Sequence, residues 1–260
     1  MNLSEMKSRK ISLGYSCEKI SQLSGVPLET VQKIFDGTEP MPGYDALLAL
    51  ESVLKKPDLD CVRDGYPAYG AKRQGEYTLD DYYQIPDDIR VELIDGVIYD
   101  MGAPTNTHQL ISEIVCFKLF THITTHKGHC IPLISPVDVQ LDRDEKTMVQ
   151  PDVLVVCDRD KVINRCIYGA PDFIMEVLSP SSRYKDMNIK LNKYISAGVR
   201  EYWIVDPSRK SILVYDLEHS QVPVIYGFDD KIPVHIWNGE CEIDFREVYE
   251  YIRFLYEKGN

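Results

Sequence analysis

Two acidic residues sit where buried strands are expected, and they bound the chemistry open to this chain. Glu176 lies inside Pro171-Asp-Phe-Ile-Met-Glu-Val-Leu-Ser179, and Asp152 opens Pro151-Asp-Val-Leu-Val-Val156. A carboxylate in an apolar run is costly unless something pairs with it. Two such acids on neighbouring strands suit a hard divalent cation, Mg2+ or Mn2+, and a cation held that way supports hydrolysis. The backbone carbonyl of Val177 can complete the coordination shell. Asp172 is a rival ligand, since alternation puts Asp172, Ile174 and Glu176 on one strand face. Its place directly after Pro171 also suits a residue that merely opens the strand.

The elements that must position these acids read as a mixed α/β unit. Val91 to Met101 predicts a strand pair turning at Asp95-Gly96. Helical spacing runs through Leu110, Ile111, Ile114, Phe117, Leu119 and Phe120. Pro136 to Leu141 alternates as a strand. Val153–Cys157 and Phe173–Leu178 read as strands buried on both faces. Asp186 to Ala197 predicts a helix stopped by Gly198, followed by strands at Glu201–Val205 and Ile212–Tyr215. Thr78 is the predicted N-cap of a short helix, Leu79–Tyr83.

Ahead of that unit, residues 1–56 read as a small helical domain. Met1 to Leu13 predicts a first helix. Ser16 caps a second over Cys17–Ser24, and Gly25 ends it. Pro27 opens a third that runs to Phe35 with Gly37 as its stop, and Tyr44–Lys56 is amphipathic. Residues 57–75, rich in Pro and Gly, read as a linker, which leaves 76–260 as the second domain.

Composition narrows the function classes. The 260 residues are 44% hydrophobic and 27% charged, a soluble globular balance. No apolar run is long enough to span a bilayer and no signal-peptide core opens the chain. Seven cysteines with no CxxC pair argue against a disulfide framework or a zinc knuckle, and Cys157 reads as a small packed hydrophobe. A reducing cytoplasm is the expected compartment. The net charge of −12 lacks the basic excess of a strong non-specific nucleic-acid binder. Metal-holding carboxylates would themselves contribute to that count. His122 and His126 have i,i+4 spacing but no acidic third ligand, so they read as exposed histidines rather than a zinc site.

Two resemblances add to this reading. The segment Ser16-Cys-Glu-Lys-Ile-Ser-Gln-Leu-Ser-Gly-Val-Pro-Leu-Glu-Thr-Val-Gln-Lys-Ile-Phe-Asp-Gly37 resembles the Cro/C1-type helix-turn-helix. The resemblance implies that its third helix faces a major groove with Leu28, Glu29, Thr30, Gln32 and Lys33. Gln32 suits adenine and Lys33 suits guanine or phosphate, while Glu29 would repel phosphate. Such units also serve as protein-interaction modules.

Residues 76–252 resemble the Uma2 family of endonucleases, with a restriction-endonuclease-like PD-(D/E)XK fold. The resemblance is carried by Glu92-Leu-Ile-Asp-Gly-Val-Ile98, His108, Gln150-Pro-Asp152, Gly169-Ala-Pro-Asp-Phe-Ile-Met-Glu-Val-Leu-Ser-Pro180, Asp186 with Lys190 and Tyr194, and Ala197-Gly-Val-Arg-Glu-Tyr-Trp-Ile-Val-Asp-Pro207. One departure concerns the motif lysine. The position two residues after Glu176 is Leu178, and the resemblance moves the ammonium to Lys190 on the next helix, with Lys185 as competitor. The implied catalytic set is Asp152, Glu176, Lys190 and Glu92, with Glu92 as ligand or water-orienting base. His108, Asp186 and Tyr194 stand behind them. The implied activity is Mg2+- or Mn2+-dependent hydrolysis of DNA, with a homodimer expected because a duplex has two strands. A DNA-binding regulator with an inactive nuclease-like domain is the alternative.

Overall fold

The computed structural model describes residues 6–7, 10, 15–36, 46, 49–50, 53–54, 72–86, 88–180, 182–220 and 222–257. The chain divides into two compact units, Met1–Tyr66 and Pro67–Asn260. In the first, α1 spans Cys17–Ser24 and α2 spans Leu28–Asp36. Ser16 caps α1 by accepting the Lys19 N–H, and Gly25 closes it at φ 70° in the left-handed region. Ile20, Val26, Val31, Ile34 and Phe35 form a core with Met6, Leu50 and Leu54. Of the expected first and fourth helices, Met6, Lys7 and Lys10, and Ala46, Ala49, Leu50, Val53 and Leu54, are helical. The rest of both helices, the Gly37 stop and most of the 57–75 linker lie outside the described residues.

The second unit is built on a six-stranded sheet. Its strands are β3 (Ile131–Ile134), β5 (Val153–Val156), β7 (Phe173–Val177), β8 (Glu201–Asp206), β9 (Ser211–Asp216) and β10 (Val224–Gly227). The order is β10-β9-β8-β7-β5-β3, with β7 and β8 parallel and the other pairs antiparallel. Alternation sorts the central side chains onto two faces. Val153, Val155, Phe173, Met175, Val177 and Trp203 pack against α4 (Asn106–Thr125) and α6 (Phe245–Glu257). Leu154, Val156, Ile174, Tyr202 and Ile204 pack on the other side with Tyr194 of α5 (Leu191–Ala197). Asp152 and Glu176 share the parity of Leu154 and Ile174, so both face the α5 side.

Smaller elements frame the sheet. The short helix α3 is Leu79–Tyr82, and the Asp81 carboxylate accepts the Thr78 backbone N–H at 2.7 Å. The hairpin β1 (Val91–Ile94) and β2 (Val97–Asp100) turns at Asp95-Gly96 as expected, both with positive φ. A Cβ at Gly96 would collide with the Gly75 carbonyl, so only glycine fits there. The ribbon β11 (Lys231–Val234) and β12 (Cys241–Asp244) backs the α4 side.

Two expectations are corrected. The strand expected over Pro136–Leu141 is reduced to β4 (Val139–Gln140), which pairs in parallel with β6 (Ile167–Tyr168). Pro136 has no N–H to give to a ladder. In its place β3 forms one edge of the sheet, where Pro132 is tolerated. Finally, Cys157 is not a lone packed thiol but is disulfide-bonded to Cys130. The register Ile131↔Val156 places the two cysteines opposite each other. The case for a reducing compartment from unpaired cysteines therefore lapses. Among the described residues no helix is long and apolar enough to cross a membrane.

Glu201 opens β8 as a fully buried carboxyl, accepting from Trp203 Nε1 at 2.6 Å and the Ile236 N–H at 3.0 Å. Burial outweighs these donors and pushes its pKa up to about 7. Below the ordinary glutamate value the group is protonated in both folded and unfolded chains. As pH rises toward 7 only the unfolded chain releases the proton, so stability falls, by on the order of 3 kcal/mol for the full shift. Melts between pH 5 and 7 are expected to show this slope, and Glu201→Gln is expected to flatten it. An equal slope in the variant would assign it to another group.

Candidate active site

The antiparallel register of β5 and β7 pairs Val153 with Met175, and one step further brings Asp152 beside Glu176. The Val177 backbone N–H donates to Asp152 Oδ2 at 2.7 Å, which fixes that carboxylate against β7. His108, in the first turn of α4, places Nε2 3.0 Å from the same oxygen. Glu176 Oε1 accepts from Lys190 Nζ and from the Tyr194 hydroxyl, both at 2.7 Å. Lys190 also lies 2.7 Å from Glu92 Oε1 and 3.7 Å from Asp186 Oδ1. Lys185 closes the cluster with a 2.6 Å contact to Glu92 Oε2.

Local backbone geometry explains how Lys190 gets there. The predicted helix over 186–197 is not α-helical throughout: Lys185–Lys190 form a π-helical turn before α5 begins. Such turns occur often at functional sites, and here the turn buries Lys190 and Asp186 together under the sheet. Tyr194, one turn on, stacks edge-on against Tyr202 and is wholly buried. It packs in the core and also holds Glu176.

Every catalytic candidate from the sequence therefore meets in one place. A cleft of about 150 Å³ is lined by Asp152, Glu176, Lys185, Asp186, Lys190 and His108 among others, and Glu92 sits behind it, fully buried. Asp172 does not join them. Its carboxylate accepts the Cys157 N–H at 2.7 Å and pairs with Arg200 at 3.3 Å, at the opposite end of β7. In the first unit Glu29, Gln32 and Lys33 are exposed and Thr30 is half-buried, and Lys33 is ion-paired to Glu29 at 2.7 Å. His122 and His126 stack on each other at the exposed end of α4.

The charges in the cleft are unevenly balanced. Four carboxyls (Glu92, Asp152, Glu176, Asp186) surround two ammoniums (Lys185, Lys190), and Asp100 and Arg90 add one charge of each sign on the cleft wall. Burial alone would raise Glu92, but Lys190 and Lys185 outweigh it and hold that carboxyl down at about 2. Glu176 moves the other way. Burial pushes it well up, Lys190 opposes, and Asp152, Asp186 and Glu92 reinforce the rise. Asp186 is raised as well, again mainly by burial. Burial favours a neutral Lys190, yet Glu176, Glu92 and Asp186 keep its proton on firmly. Glu92 thus anchors the lysines as a carboxylate, and the crowding of burial and like charge falls on Glu176, which is driven toward its protonated form.

The donor set fits a hard divalent cation. Both bonds to Asp152 go to Oδ2, and both bonds to Glu176 go to Oε1. Among the described residues the buried side-chain polar atoms without partners are Arg90 Nε and His108 Nδ1. The second oxygen of each acid is therefore not sealed away. No three His, Cys, Asp or Glu among the described residues form a closed cage. Mg2+ is commonly held by one or two carboxylates with water filling the rest of its shell, so two acids suffice.

The Uma2 family model, described as "Putative restriction endonuclease", matches residues 79–242. The chain belongs to the Uma2 family. The matched stretch includes Glu92, Asp152, Glu176 and Lys190, whereas α1 and α2 lie ahead of it. A relative from Synechocystis sp. (strain ATCC 27184 / PCC 6803 / Kazusa), "Uncharacterized protein slr1290", is 30% identical over 126 residues. That alignment covers 48% of this Uma2 chain and 64% of the relative, less than two thirds of its length. A crystal structure described as a putative nuclease belonging to DUF820, from Anabaena variabilis ATCC 29413, superposes with a TM-score of 0.57 at 18% identity. It covers 67% of this chain and 98% of its own, and the likeness is one of fold.

Sequence reasoning missed Arg90, which lines the same cleft. Its signal was period-2 spacing from Glu92, which puts both side chains on one face as the chain enters β1.

Proposed function

We propose that residues 76–260 form a Mg2+- or Mn2+-dependent endonuclease that hydrolyses phosphodiester bonds in DNA. The observation that carries this reading is the convergence of Asp152 and Glu176 on one cleft, each with an oxygen that bonds to none of the described residues. These two side chains, with the Val177 carbonyl, would hold the metal. The ion would supply an activated water and charge neutralisation at the phosphate. Lys190 keeps its proton beside Glu176 and offsets negative charge at the reacting end of the cleft. Glu92 fixes Lys190 and Lys185 in place, and His108 orients Asp152. Purified protein with Mn2+ or Mg2+ is expected to cut DNA. Intact plasmid and intact single strands under all divalent metals would contradict the proposal.

Residues 1–56 are proposed to act as a Cro/C1-type helix-turn-helix that brings duplex to the cleft, with residues 57–75 as the linker. Support comes from the Ser16 and Gly25 caps and from the exposed Glu29, Gln32 and Lys33 on α2. Lys33→Ala in the full chain is expected to reduce the salt dependence of duplex binding by about one unit of slope. An unchanged slope would leave Lys33 away from phosphate. A homodimer is the proposed assembly, one subunit for each strand of the duplex.

One observation favours a second reading. Lys190 already neutralises Glu176, which suits a DNA-binding regulator whose nuclease-like domain no longer cleaves. Titration calorimetry with Mn2+ separates the two, because an inactive domain has no need to bind metal.

A further inference from the structure

Arg90 stands apart from the other cations of the cleft. Lys185 and Lys190 are both paired with Glu92, and Lys190 also with Glu176. Among the described residues the Arg90 guanidinium has no such partner: its Nη2 donates to two neutral acceptors, Ser135 Oγ at 2.8 Å and Gln150 Oε1 at 3.0 Å. Its Nε is buried with no hydrogen-bond partner among the described residues. Leaving a guanidinium N–H buried and unsatisfied is costly, and more so for a charged group.

The side chain is also held in place. Gln150 cannot rotate freely, because its Nε2 donates to the Tyr82 hydroxyl at 3.1 Å and to Asp138 Oδ1 at 3.0 Å. Its backbone N–H donates to Glu92 Oε1 at 2.9 Å. The amide oxygen is thereby turned toward Arg90, two residues before Asp152. Tyr82 and Asp138 complete that support through a 2.9 Å hydrogen bond. With both Nη2 protons taken and Nε enclosed, Nη1 is the open edge of a fixed guanidinium on the cleft wall, and a charged N–H held in place there suits a phosphate oxygen.

We infer that Arg90 is the phosphate anchor of the cleft, binding a non-bridging oxygen of a nucleic-acid phosphodiester beside Asp152 and Glu176. The identity of the anion rests on the nuclease reading. The geometry of the anion site does not.

The full chain, wild type and Arg90→Gln, is titrated without divalent metal using a thymidine dinucleotide that carries one phosphodiester, with binding read by 31P NMR. The variant is expected to bind about tenfold more weakly, while calorimetry shows Mn2+ affinity no weaker than in wild type. Equal dinucleotide affinity in the two proteins, or no binding by the wild type, overturns the anchor. Should Arg90→Gln fail to fold, Arg90→Lys decides: about threefold weaker binding or more is expected from loss of the fixed guanidinium, and unchanged binding overturns the inference. The two readings fail separately. A wild type that never cuts DNA but binds the dinucleotide through Arg90 removes the nuclease and keeps the anchor. Cutting that Arg90→Gln leaves at the wild-type rate keeps the nuclease and removes the anchor.

Discussion

Asp152→Ala and Glu176→Ala are each expected to lower Mn2+-supported DNA cutting by roughly a hundredfold to a thousandfold. Each removes one of the two carboxylates that face the cleft from adjacent strands. The effects should not add, since a cation held by two groups is lost when either goes. Asp152→Asn is a sharper probe. It keeps the side-chain volume and an oxygen for the Val177 N–H, so the fold should persist while the charge is gone. Single-turnover cutting of a plasmid measures all three variants. Undiminished cutting in both alanine variants would remove these acids from the chemistry.

Lys190→Met carries the largest expected effect on stability. The lysine is 2% exposed and lies between Glu92 and Glu176 at 2.7 Å from each. Removing one member of a buried ionic cluster typically costs about 3–5 kcal/mol, because the remaining charges stay buried. For a domain of this size that lowers the melting temperature on the order of 10 °C. The loss also depends on pH, and its sign follows from Glu176. With Lys190 gone, the folded chain holds a proton on Glu176 even more tightly than the unfolded chain does. Stability should therefore fall further as pH rises above the ordinary glutamate range, making the deficit larger at pH 8 than at pH 5. Glu92 loses one of its two lysines but keeps Lys185. Melts of the variant across that range provide the check. A variant that melts with the wild type at both ends would contradict the buried cluster.

Much of the site was legible in the sequence because strands expose their logic through parity. Asp152 and Glu176 interrupt apolar runs, and alternation alone assigns each a face. The hairpin at Asp95-Gly96 and the caps at Ser16 and Gly25 were legible for a similar reason: each needs a particular residue type at a particular backbone conformation. What was not legible depends on pairings between distant segments. Pro132 hides β3, because a proline counts against a strand unless its place at the edge of the sheet is known. The Cys130–Cys157 bond follows from the β3–β5 register, which no spacing along the chain announces. The π turn over Lys185–Lys190 shares the apolar spacing of an α-helix, yet it sets where Lys190 points. Arg90 was not legible because its meaning lies in its partners, Ser135 and Gln150, and in a buried N–H that has none among the described residues.

The most direct test of the metal site is anomalous diffraction from a crystal soaked in Mn2+. A single peak within coordination distance of both the Asp152 and Glu176 carboxylates is expected, with Lys190 still paired to Glu92. A soaked crystal with no peak there, and Glu176 still bonded only to Lys190 and Tyr194, would contradict a metal-dependent cleft.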